Sequence, residues 1–453
     1  MSTIAAISTP NAAGGIGIIR LSGEDAFNIC EKCFSAYSGK RLNAMKGYTA
    51  ALGELYDGAE KIDEAVLIAY RAPKSYTGEN VAEICCHGGL FILQRTLRTL
   101  FSLGAVPAAP GEFTKRAFLN GKLDLAQAES VMNIISAQGE AALNAAQNTL
   151  SGAVSRKIES IAQSLVSLAA ALAAWADYPD EDIGALDGVD IGTVLKGVSA
   201  ELEALIKRYD CGRAVTEGVN TVICGKPNVG KSSLMNLLLG RERSIVTPIA
   251  GTTRDIIEES VRVGDIVLRL ADTAGLRETS DEIESAGVEI AKRKIDSADL
   301  IIAVFDVSRE LCKEDYDIMS LCENRKALAV INKGDLQRAF SEKDIAEHIP
   351  ACVTVSAKDE KSTELIGAAL ERLLGTGGLD FSQEILAGER QLGCVKEAQS
   401  CVEQALSALN GGLTADAVNV SVDCAIDALY TLTGKKASEE IVNEVFRKFC
   451  VGK

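Results

Sequence analysis

Hydrophobic residues change their spacing several times along the chain, and each change marks a different kind of structure. Up to about residue 119, short β-rich runs such as 17–21 and 65–69 alternate with loops rich in glycine and proline, which is typical of an α+β domain. From 124 to 175 the composition shifts to Ala, Gln, Leu, Ser and Glu, and apolar residues recur at alternating spacings of four and three. This spacing predicts a helix with one apolar face. The residues on this face are Val154, Ile158, Ile161, Leu165, Leu168 and Leu172.

An acidic turn at 177–182 interrupts this helical region, because proline disfavours helical backbone in the residue before it. A second helical stretch follows, to about Tyr209. At 220–224 the pattern changes to a buried strand, which opens a segment of strands alternating with helices, as in a parallel α/β sheet. Helical spacing returns after the glycine-rich linker at 375–378. Each helical block has an apolar face that needs a partner, so we predict one discontinuous helical domain with an α/β domain inserted into it.

These changes predict a multidomain fold, in agreement with a length of 453 residues, which is more than one hydrophobic core usually supports. An N-terminal α+β domain is expected at 1–119. The first part of the helical domain is expected at 120–215, the α/β domain at 216–377, and the second part of the helical domain at 378–453.

The formal net charge of −16 argues against a general polyanion binder, since proteins held to phosphates by charge normally carry a basic face. Any contact with nucleic acid is expected to be local and selective. No run of 18 or more apolar residues occurs, and the N-terminus lacks the basic start of a signal peptide. We therefore expect a soluble, cytoplasmic protein without a membrane contact. The thirteen cysteines are scattered through apolar segments and are expected to be mostly reduced, buried thiols without a zinc site.

A phosphate-binding loop stands at residues 225–232, which read G-x-x-x-x-G-K-S between a predicted strand and a predicted helix. The glycines let backbone N–H groups approach the phosphates of a nucleotide. Lys231 can reach the β and γ oxygens, and Ser232 supplies a magnesium ligand. The candidate nucleotide contacts here are Asn228, Val229, Gly230, Lys231, Ser232 and Ser233.

One further motif and one threonine concern the γ-phosphate. D-x-x-G at 272–275 follows the apolar run 266–270, so its aspartate can hold magnesium through water and Gly275 can donate its N–H to the γ-phosphate. Thr253 is a candidate second magnesium ligand that orders when the γ-phosphate is present. The candidate contacts of the D-x-x-G motif are Asp272, Thr273, Ala274 and Gly275.

Guanine selection is predicted by N-K-x-D at 332–335 together with S-A-K at 356–358. A carboxylate accepts both the ring N–H and the exocyclic amine of guanine, whereas adenine would leave that charge without a partner. The candidate base contacts are Asn332, Lys333, Asp335, Ser356, Ala357 and Lys358. Four ordered motifs predict an enzyme that binds GTP and hydrolyses it with magnesium; an ATPase or a chance loop is the alternative.

Leu276 occupies the position after the D-x-x-G glycine, where Ras-like enzymes place a water-orienting glutamine. Leucine neither donates nor accepts a hydrogen bond, so catalysis has to come from another group. Since phosphoryl transfer depends on neutralising charge, a cation in place of an arginine finger would serve.

The chain resembles the MnmE (TrmE) family of tRNA uridine-modification GTPases over its full length. Within the α/β domain the resemblance is carried by 225–233, 251–255 and 272–278. Outside it, the matching motifs are Tyr76-Thr77-Gly78-Glu79, Pro110-Gly111-Glu112-Phe113-Thr114, the run 120–129 and the terminal 449–453, which other GTPases do not carry.

This resemblance implies that the N-terminal domain dimerises and binds a folate such as 5-formyl-tetrahydrofolate. It also implies that the protein acts with the flavoprotein MnmG, adding an aminomethyl or carboxymethylaminomethyl group to carbon 5 of the wobble uridine of certain tRNAs. The residues that would bind the folate are Arg20, Glu79, Lys122 and Lys453.

In the family, GTP hydrolysis is driven by potassium-dependent pairing of two GTPase domains. The resemblance places the potassium ligands on Asn228, Thr247, Ile249 and Thr252. It gives Glu284 the role of orienting the attacking water through another water, beside Lys231 as the second catalytic residue. From the residues alone, Glu284 could equally belong to a solvated acidic run.

The chain departs from the family pattern in the loop 9–15 and at Ser421-Val422-Asp423, which affects the folate site and any tRNA or partner contact through that helix. The alternative function is a ribosome-assembly GTPase of the Era or Der type. Its RNA-binding module would be basic, which the acidic, alanine-rich helices here are not. A scaffold with purely structural GTP is a third possibility, against which the complete set of catalytic motifs argues.

Overall fold

The computed structural model describes residues 2–177, 190–241, 259–270, 298–378, 380 and 383–453. These residues divide into two compact units. The N-terminal unit combines 2–132 with 430–453, and the central unit comprises the described parts of 133–429. The domain boundaries predicted from the sequence stay predictions.

The helices of the described residues are α1 Ala26–Glu31, α2 Leu90–Ser102, α3 Glu112–Leu119, α4 Leu125–Ser136, α5 Glu140–Leu150, α6 Ala153–Asp177, α7 Ile191–Thr216, α8 Lys231–Arg241, α9 Lys313–Cys322, α10 Glu342–Ala346, α11 Ser362–Leu374, α12 Glu389–Asn410, α13 Ala415–Thr433 and α14 Glu439–Arg447. One short 3-10 helix lies at Leu42–Ala44.

A seven-stranded sheet forms the N-terminal unit, with strand order β3-β4-β5-β6-β2-β1-β7. Its strands are β1 Ile4–Ile7, β2 Ile16–Ser22, β3 Phe34–Ala36, β4 Thr49–Asp57, β5 Glu60–Tyr70, β6 Val81–His87 and β7 Val106–Pro107. All neighbours pair antiparallel except β1 and β7, which pair parallel. This mostly antiparallel sheet with helices confirms the predicted α+β class.

The two faces of this sheet differ in chemistry because successive side chains of a strand point to opposite sides. Ile19 and Leu21 of β2 are fully buried in an apolar core that includes Leu93 of α2. Arg20 and Ser22 alternate with them and therefore lie on the other face. Polar side chains in central strands of a sheet indicate that this second face has a function beyond packing.

The last residues of the chain belong to the N-terminal unit. Phe446 of α14 packs with Leu125 in a small apolar cluster. Beyond α14, the Ser8 hydroxyl donates to the carbonyl of Gly452 at 3.1 Å, and the Phe113 N–H donates to the carbonyl of Lys453 at 3.2 Å. The terminal segment is thus built into the same unit as β1.

In the central unit, the helical region before the α/β domain is divided among several helices. Gly152 follows α5 with a φ of +85°, a conformation that favours glycine and ends a helix. The next helix, α6, buries all six residues of the predicted apolar face, as the sequence pattern indicated. Its stretch Ala153–Ala174 is long and apolar enough to cross a membrane by length and composition, the one such helix in the described ranges. Core helices of soluble proteins also have this length and composition.

The helical blocks on either side of the α/β domain pack against each other, which confirms the predicted discontinuous helical domain. The contact lies between α7 and α12, where the Gln399 side-chain amide donates to the Ser199 hydroxyl at 2.9 Å. Helix α7 extends to Thr216, beyond the end expected near Tyr209. Only Glu217 and Gly218 separate it from the first strand of the inserted domain.

A six-stranded sheet forms that domain, with order β13-β12-β11-β8-β10-β9. The strands are β8 Val219–Cys224, β9 Glu259–Val263, β10 Ile266–Leu270, β11 Leu300–Asp306, β12 Ala327–Asn332 and β13 Cys352–Thr354. All pairs are parallel except β9 with β10. Strands β11 and β12 are buried along their whole length, with an apolar core on each face. The carboxyl ends of β8, β11, β12 and β13 therefore meet at one edge, where ligands bind in such sheets.

Candidate nucleotide site

The loop between β8 and α8 has a backbone that requires glycine at two positions. Gly225 has a φ of +150° and Gly230 a φ of +99°. A Cβ at Gly225 would lie 2.6 Å from the Val304 carbonyl oxygen, and one at Gly230 would lie 2.2 Å from the Asn332 side-chain nitrogen. Asn228 between them has a φ of +62°. Alternating signs of φ before a helix N-terminus form a concavity of N–H groups that binds anions.

The Lys231 ammonium lies over this concavity. Its Nζ donates to the carbonyl oxygens of Gly225 at 2.7 Å and Lys226 at 2.8 Å. Burial lowers the pKa of Lys231. Ser232 and Ser233 follow in the first turn of α8 with exposed side chains. A cation and hydroxyl groups are thus placed around one anion-binding loop.

Asn332 joins this loop to the loop after β13. Its side chain is 2 % exposed, its amide donates to the Val229 carbonyl at 2.9 Å, and its amide oxygen accepts from the Ala357 N–H at 3.0 Å. The Gly334 N–H also donates to the Val355 carbonyl at 2.9 Å. The first and last motifs of the predicted site are therefore held at a fixed separation by one buried carboxamide.

Asp335 presents a carboxylate at the end of this arrangement. The Ser356 hydroxyl donates to its Oδ1 at 2.9 Å, and the Lys358 ammonium lies 3.6 Å from its Oδ2. The Ser356 hydrogen bond is the main cause of a pKa below the usual range for Asp335. The side chain is 40 % exposed. An ionised carboxylate that a ligand can reach is the group needed to accept two N–H donors of a guanine edge.

Two buried carboxylates beside the loop were not anticipated from the sequence. Asp306, at the end of β11, accepts from the Lys333 ammonium at 2.6 Å. Asp315, in the first turn of α9, accepts from the Lys226 ammonium at 2.5 Å. A signal existed for Asp306, because it ends a strand that is otherwise entirely apolar and lies between the strands of two motifs.

Several predicted site residues lie outside the described residues. They are Thr247, Ile249, Thr252, Thr253, Asp272, Thr273, Ala274, Gly275, Leu276 and Glu284. Their roles stay predictions.

In the N-terminal unit, Arg20 and Lys453 lie together on the polar face of the sheet. Arg20 pairs with Glu83 at 2.8 Å, on the neighbouring strand β6. Its guanidinium lies 5.7 Å from the Tyr76 ring centroid and 5.6 Å from that of Phe113. Burial, and then the charge of Arg20, lower the pKa of Lys453. This clustering of cations agrees with the proximity that the predicted folate site requires.

Glu79, a third predicted folate residue, is engaged within the protein. The Ser22 hydroxyl donates to its Oε2 at 2.6 Å, and Arg116 pairs with the same oxygen at 3.0 Å. The Arg116 side chain is 4 % exposed and also pairs with Glu112 at 2.8 Å. Sequence reasoning missed Arg116, because its burial within α3 has no local signal.

Lys122, the fourth predicted residue, lies just beyond α3. Its ammonium donates to the Pro73 carbonyl at 3.2 Å in an exposed position. The structure therefore places Arg20 with Lys453, ties Glu79 to the same sheet face through Ser22, and leaves Lys122 at the surface.

A parallel sheet, a glycine-constrained anion loop and a carboxylate joined to it through Asn332 define the class of P-loop GTPases. Two protein families match the chain and narrow this class. The family of the GTP-binding protein TrmE N-terminus matches residues 3–122, and the MnmE helical domain family matches 125–450. The G domain of the T. maritima FeoB iron transporter matches 35 % of this chain and 98 % of its own length, at 23 % identity and a TM-score of 0.25.

Curated relatives match the whole chain. The tRNA modification GTPase MnmE of Thermoanaerobacter pseudethanolicus is 40 % identical over 456 residues, covering 100 % of this chain and 99 % of that protein. The proteins of the same name from Acetivibrio thermocellus and Clostridioides difficile are 39 % and 37 % identical, with the same coverage. The chain belongs to the MnmE family of tRNA modification GTPases, as the sequence motifs predicted.

We expect Asp335→Asn to exchange guanine preference for xanthine preference. Xanthine carries an acceptor where guanine carries its exocyclic donor, and the amide of asparagine can donate to it. The affinity for GDP should fall at least about tenfold, while that for XDP rises. The measurement is a titration of GDP and XDP against the wild type and Asp335→Asn. The control is the same titration of Lys361→Ala, a substitution at an exposed residue nearby. Undiminished GDP binding in Asp335→Asn would show that the base is read elsewhere.

Proposed function

We propose that this protein is a potassium-dependent GTPase that works with the flavoprotein MnmG. Together they add an aminomethyl or carboxymethylaminomethyl group to carbon 5 of the wobble uridine of certain tRNAs. The observation that carries the proposal is the match of tRNA modification GTPases to the entire chain, including the residues that form the nucleotide site. A cytoplasmic homodimer, formed through the N-terminal domain, is part of the proposal.

GTP binding is supported by the geometry of the loop and of the base site. Lys231 would bind the β and γ phosphate oxygens, and Asp335 would read the guanine edge. Magnesium would be held by Ser232 at the start of α8, together with Thr253, and would neutralise charge on the phosphate oxygens. A hydroxyl at a helix N-terminus next to a phosphate loop suits this metal, which keeps several waters and needs few protein ligands.

Potassium is proposed as the cation that replaces an arginine finger. Leu276 gives the site no polar group after the D-x-x-G glycine, so charge on the transferring phosphoryl group has to be met in another way. Asn228 lies in the loop that surrounds the phosphates and offers a side-chain oxygen, the type of ligand that an alkali cation takes. Thr247, Ile249 and Thr252 would complete the set, and Glu284 would orient the attacking water.

Folate binding is proposed on the polar face of the N-terminal unit. Arg20, Lys453 and Lys122 would meet carbonyl and carboxylate groups, and the aromatic rings beside Arg20 would pack against a flat ligand. Glu79 would read the pterin edge. Because Arg116 and Ser22 already donate to Glu79, they would orient its carboxylate for the oxygen positions that remain.

The alternative, a ribosome-assembly GTPase of the Era or Der type, shares the nucleotide loop but lacks this chain's other segments. In this chain, residues 3–122 match the TrmE N-terminus family and residues 125–450 match the MnmE helical domain family. The match to the MnmE helical domain therefore favours tRNA modification.

Wobble nucleosides test the function directly. A strain lacking this protein should contain tRNA without the modified uridine, measured by mass spectrometry of nuclease-digested tRNA. Wild-type protein supplied in trans should restore the nucleoside. Lys231→Ala should not restore it, since hydrolysis needs that cation. An unchanged nucleoside profile in the deletion strain would refute tRNA modification as the function.

Asn228→Ala should lose potassium-stimulated hydrolysis while keeping most of its affinity for GDP. Mutation of a residue that only orients a metal ligand typically costs about 10–100-fold in affinity or activity, so loss of a ligand should cost at least as much. The measurement is GTP turnover in potassium and in sodium, for the wild type and for Asn228→Ala. It distinguishes catalysis by a bound potassium ion from catalysis by a protein side chain. Equal wild-type rates in both salts would exclude potassium.

Glu79→Gln should bind 5-formyl-tetrahydrofolate at least about tenfold more weakly, since the amide loses the charge that two donors require. Calorimetry measures this affinity, with Arg98→Ala, an exposed residue of α2, as a control in the same unit. Thermal unfolding of each variant is needed as well, because Arg116 is buried and Glu79 is one of its two carboxylate partners. Wild-type affinity in a folded Glu79→Gln protein would place the folate elsewhere.

A further inference from the structure

Asp306 belongs to none of the nucleotide motifs, but Lys333 links its carboxylate to the phosphate-binding loop. The Asp306 side chain is 4 % exposed at the end of β11. It accepts from the Ser308 N–H at 3.0 Å, the Ser308 hydroxyl at 2.7 Å and the Lys333 ammonium at 2.6 Å. Burial opposes its ionisation, but the hydrogen bonds from Lys333 and Ser308 outweigh burial and lower the pKa of Asp306. The carboxylate is therefore charged and fixed on both oxygens.

Lys333 connects this carboxylate to the phosphate-binding loop. Its ammonium donates to the Asn228 carbonyl at 3.0 Å while it pairs with Asp306. Both Lys333 and Asn228 have a φ of +62°. This left-handed conformation costs a non-glycine residue about 1–2 kcal/mol, and it is uncommon for residues such as lysine. Such backbone persists where the surroundings hold it, and the hydrogen bonds Asp306–Lys333–Asn228 link the two residues that adopt it.

We propose that Asp306 is a positioning residue of the nucleotide site, which fixes the Asn228 peptide through the Lys333 ammonium. This inference rests on the proposed GTPase function and extends it to a residue of β11 that belongs to none of the four motifs. Asp306 is buried and its oxygens accept from Ser308 and Lys333, so its proposed role is indirect: it holds the Lys333 ammonium where it donates to the Asn228 carbonyl.

The physical reason is that a single hydrogen bond to a carbonyl does not hold the Lys333 ammonium in one position. A lysine side chain has many rotamers, and ordering it costs up to about 2 kcal/mol. The buried carboxylate supplies the charged hydrogen bond that offsets this cost. Without it, Lys333 is free to turn toward solvent, the Asn228 peptide loses its donor, and the loop samples orientations in which Asn228 no longer faces the cation.

A double-mutant cycle tests the proposal. Asp306→Asn and Lys333→Met each keep the size of the side chain and remove one charge. Each single variant should bind a fluorescent GDP analogue about tenfold more weakly, the scale of a hydrogen bond to a charged group. The double variant should be no weaker than Lys333→Met alone, because Asp306 has nothing left to position. Additive losses would overturn the proposal.

Potassium dependence provides the readout that a merely structural residue would not change. At saturating GTP, Asp306→Asn should need several-fold more potassium for half-maximal hydrolysis. A variant that loses GDP affinity with an unchanged potassium requirement would overturn the step to Asn228. If Asp306→Asn does not fold, Asp306→Ser takes its place with the same expectation and the same refutation, because Lys333→Met also removes a predicted base contact and cannot test Asp306 alone.

Arg309→Ala is the matched control. Arg309 lies 3.8 Å from the same carboxylate but is 67 % exposed, so its removal should change neither GDP affinity nor the potassium requirement. A wild-type protein that hydrolyses GTP equally in sodium would refute the proposed potassium dependence, and the GDP cycle would still decide whether Asp306 acts through Lys333.

Discussion

The nucleotide site depends on the buried carboxamide of Asn332. One side chain donates to the carbonyl of Val229 and accepts from the N–H of Ala357, so the phosphate loop and the base loop are both fixed to the end of β12. The carboxamide also sets the backbone of the phosphate loop, because it approaches Gly230 so closely that no Cβ fits there. Lys333 and Asp335 follow on the same turn. Their positions relative to the phosphates are therefore a consequence of this one bridge.

The inserted domain joins the helical domain through two unlike connections. Only Glu217 and Gly218 separate α7 from β8, whereas 375–388 separate α11 from α12. Glu217, the first residue of the short connection, accepts a hydrogen bond from the Tyr209 hydroxyl of α7 at 3.0 Å. Because β8 leads directly into the phosphate loop, the helical domain is coupled to the nucleotide site through a few residues of continuous backbone on one side and a long linker on the other.

Much of the architecture could be predicted because its signals are local. Strands β8 and β12 are apolar runs that end in a motif, and the apolar face of α6 has unbroken helical spacing. The contacts that complete the sites depend on strand order and on burial, which single runs of sequence do not contain. Asn332 meets Val229 across β11, and Glu79 meets an arginine of α3 whose charge would suggest a surface position. The roles assigned to individual site residues remain predictions for the same reason, since they concern ligands and partners.

The N-terminal unit is assembled from segments at opposite ends of the chain. Residues 2–132 leave the ribosome before 133–429, whereas 430–453, which pack against β1 and α3, leave it after them. At about 5–20 residues per second, synthesis of the intervening 133–429 takes about 15–60 s. During that time the surface later covered by Phe446 and Gly452 is exposed in the nascent chain. The unit that carries Arg20 and Glu79 can thus be completed only after residues 133–429 have been translated. Its folding is therefore a late step, and chaperones have a defined interval in which to act.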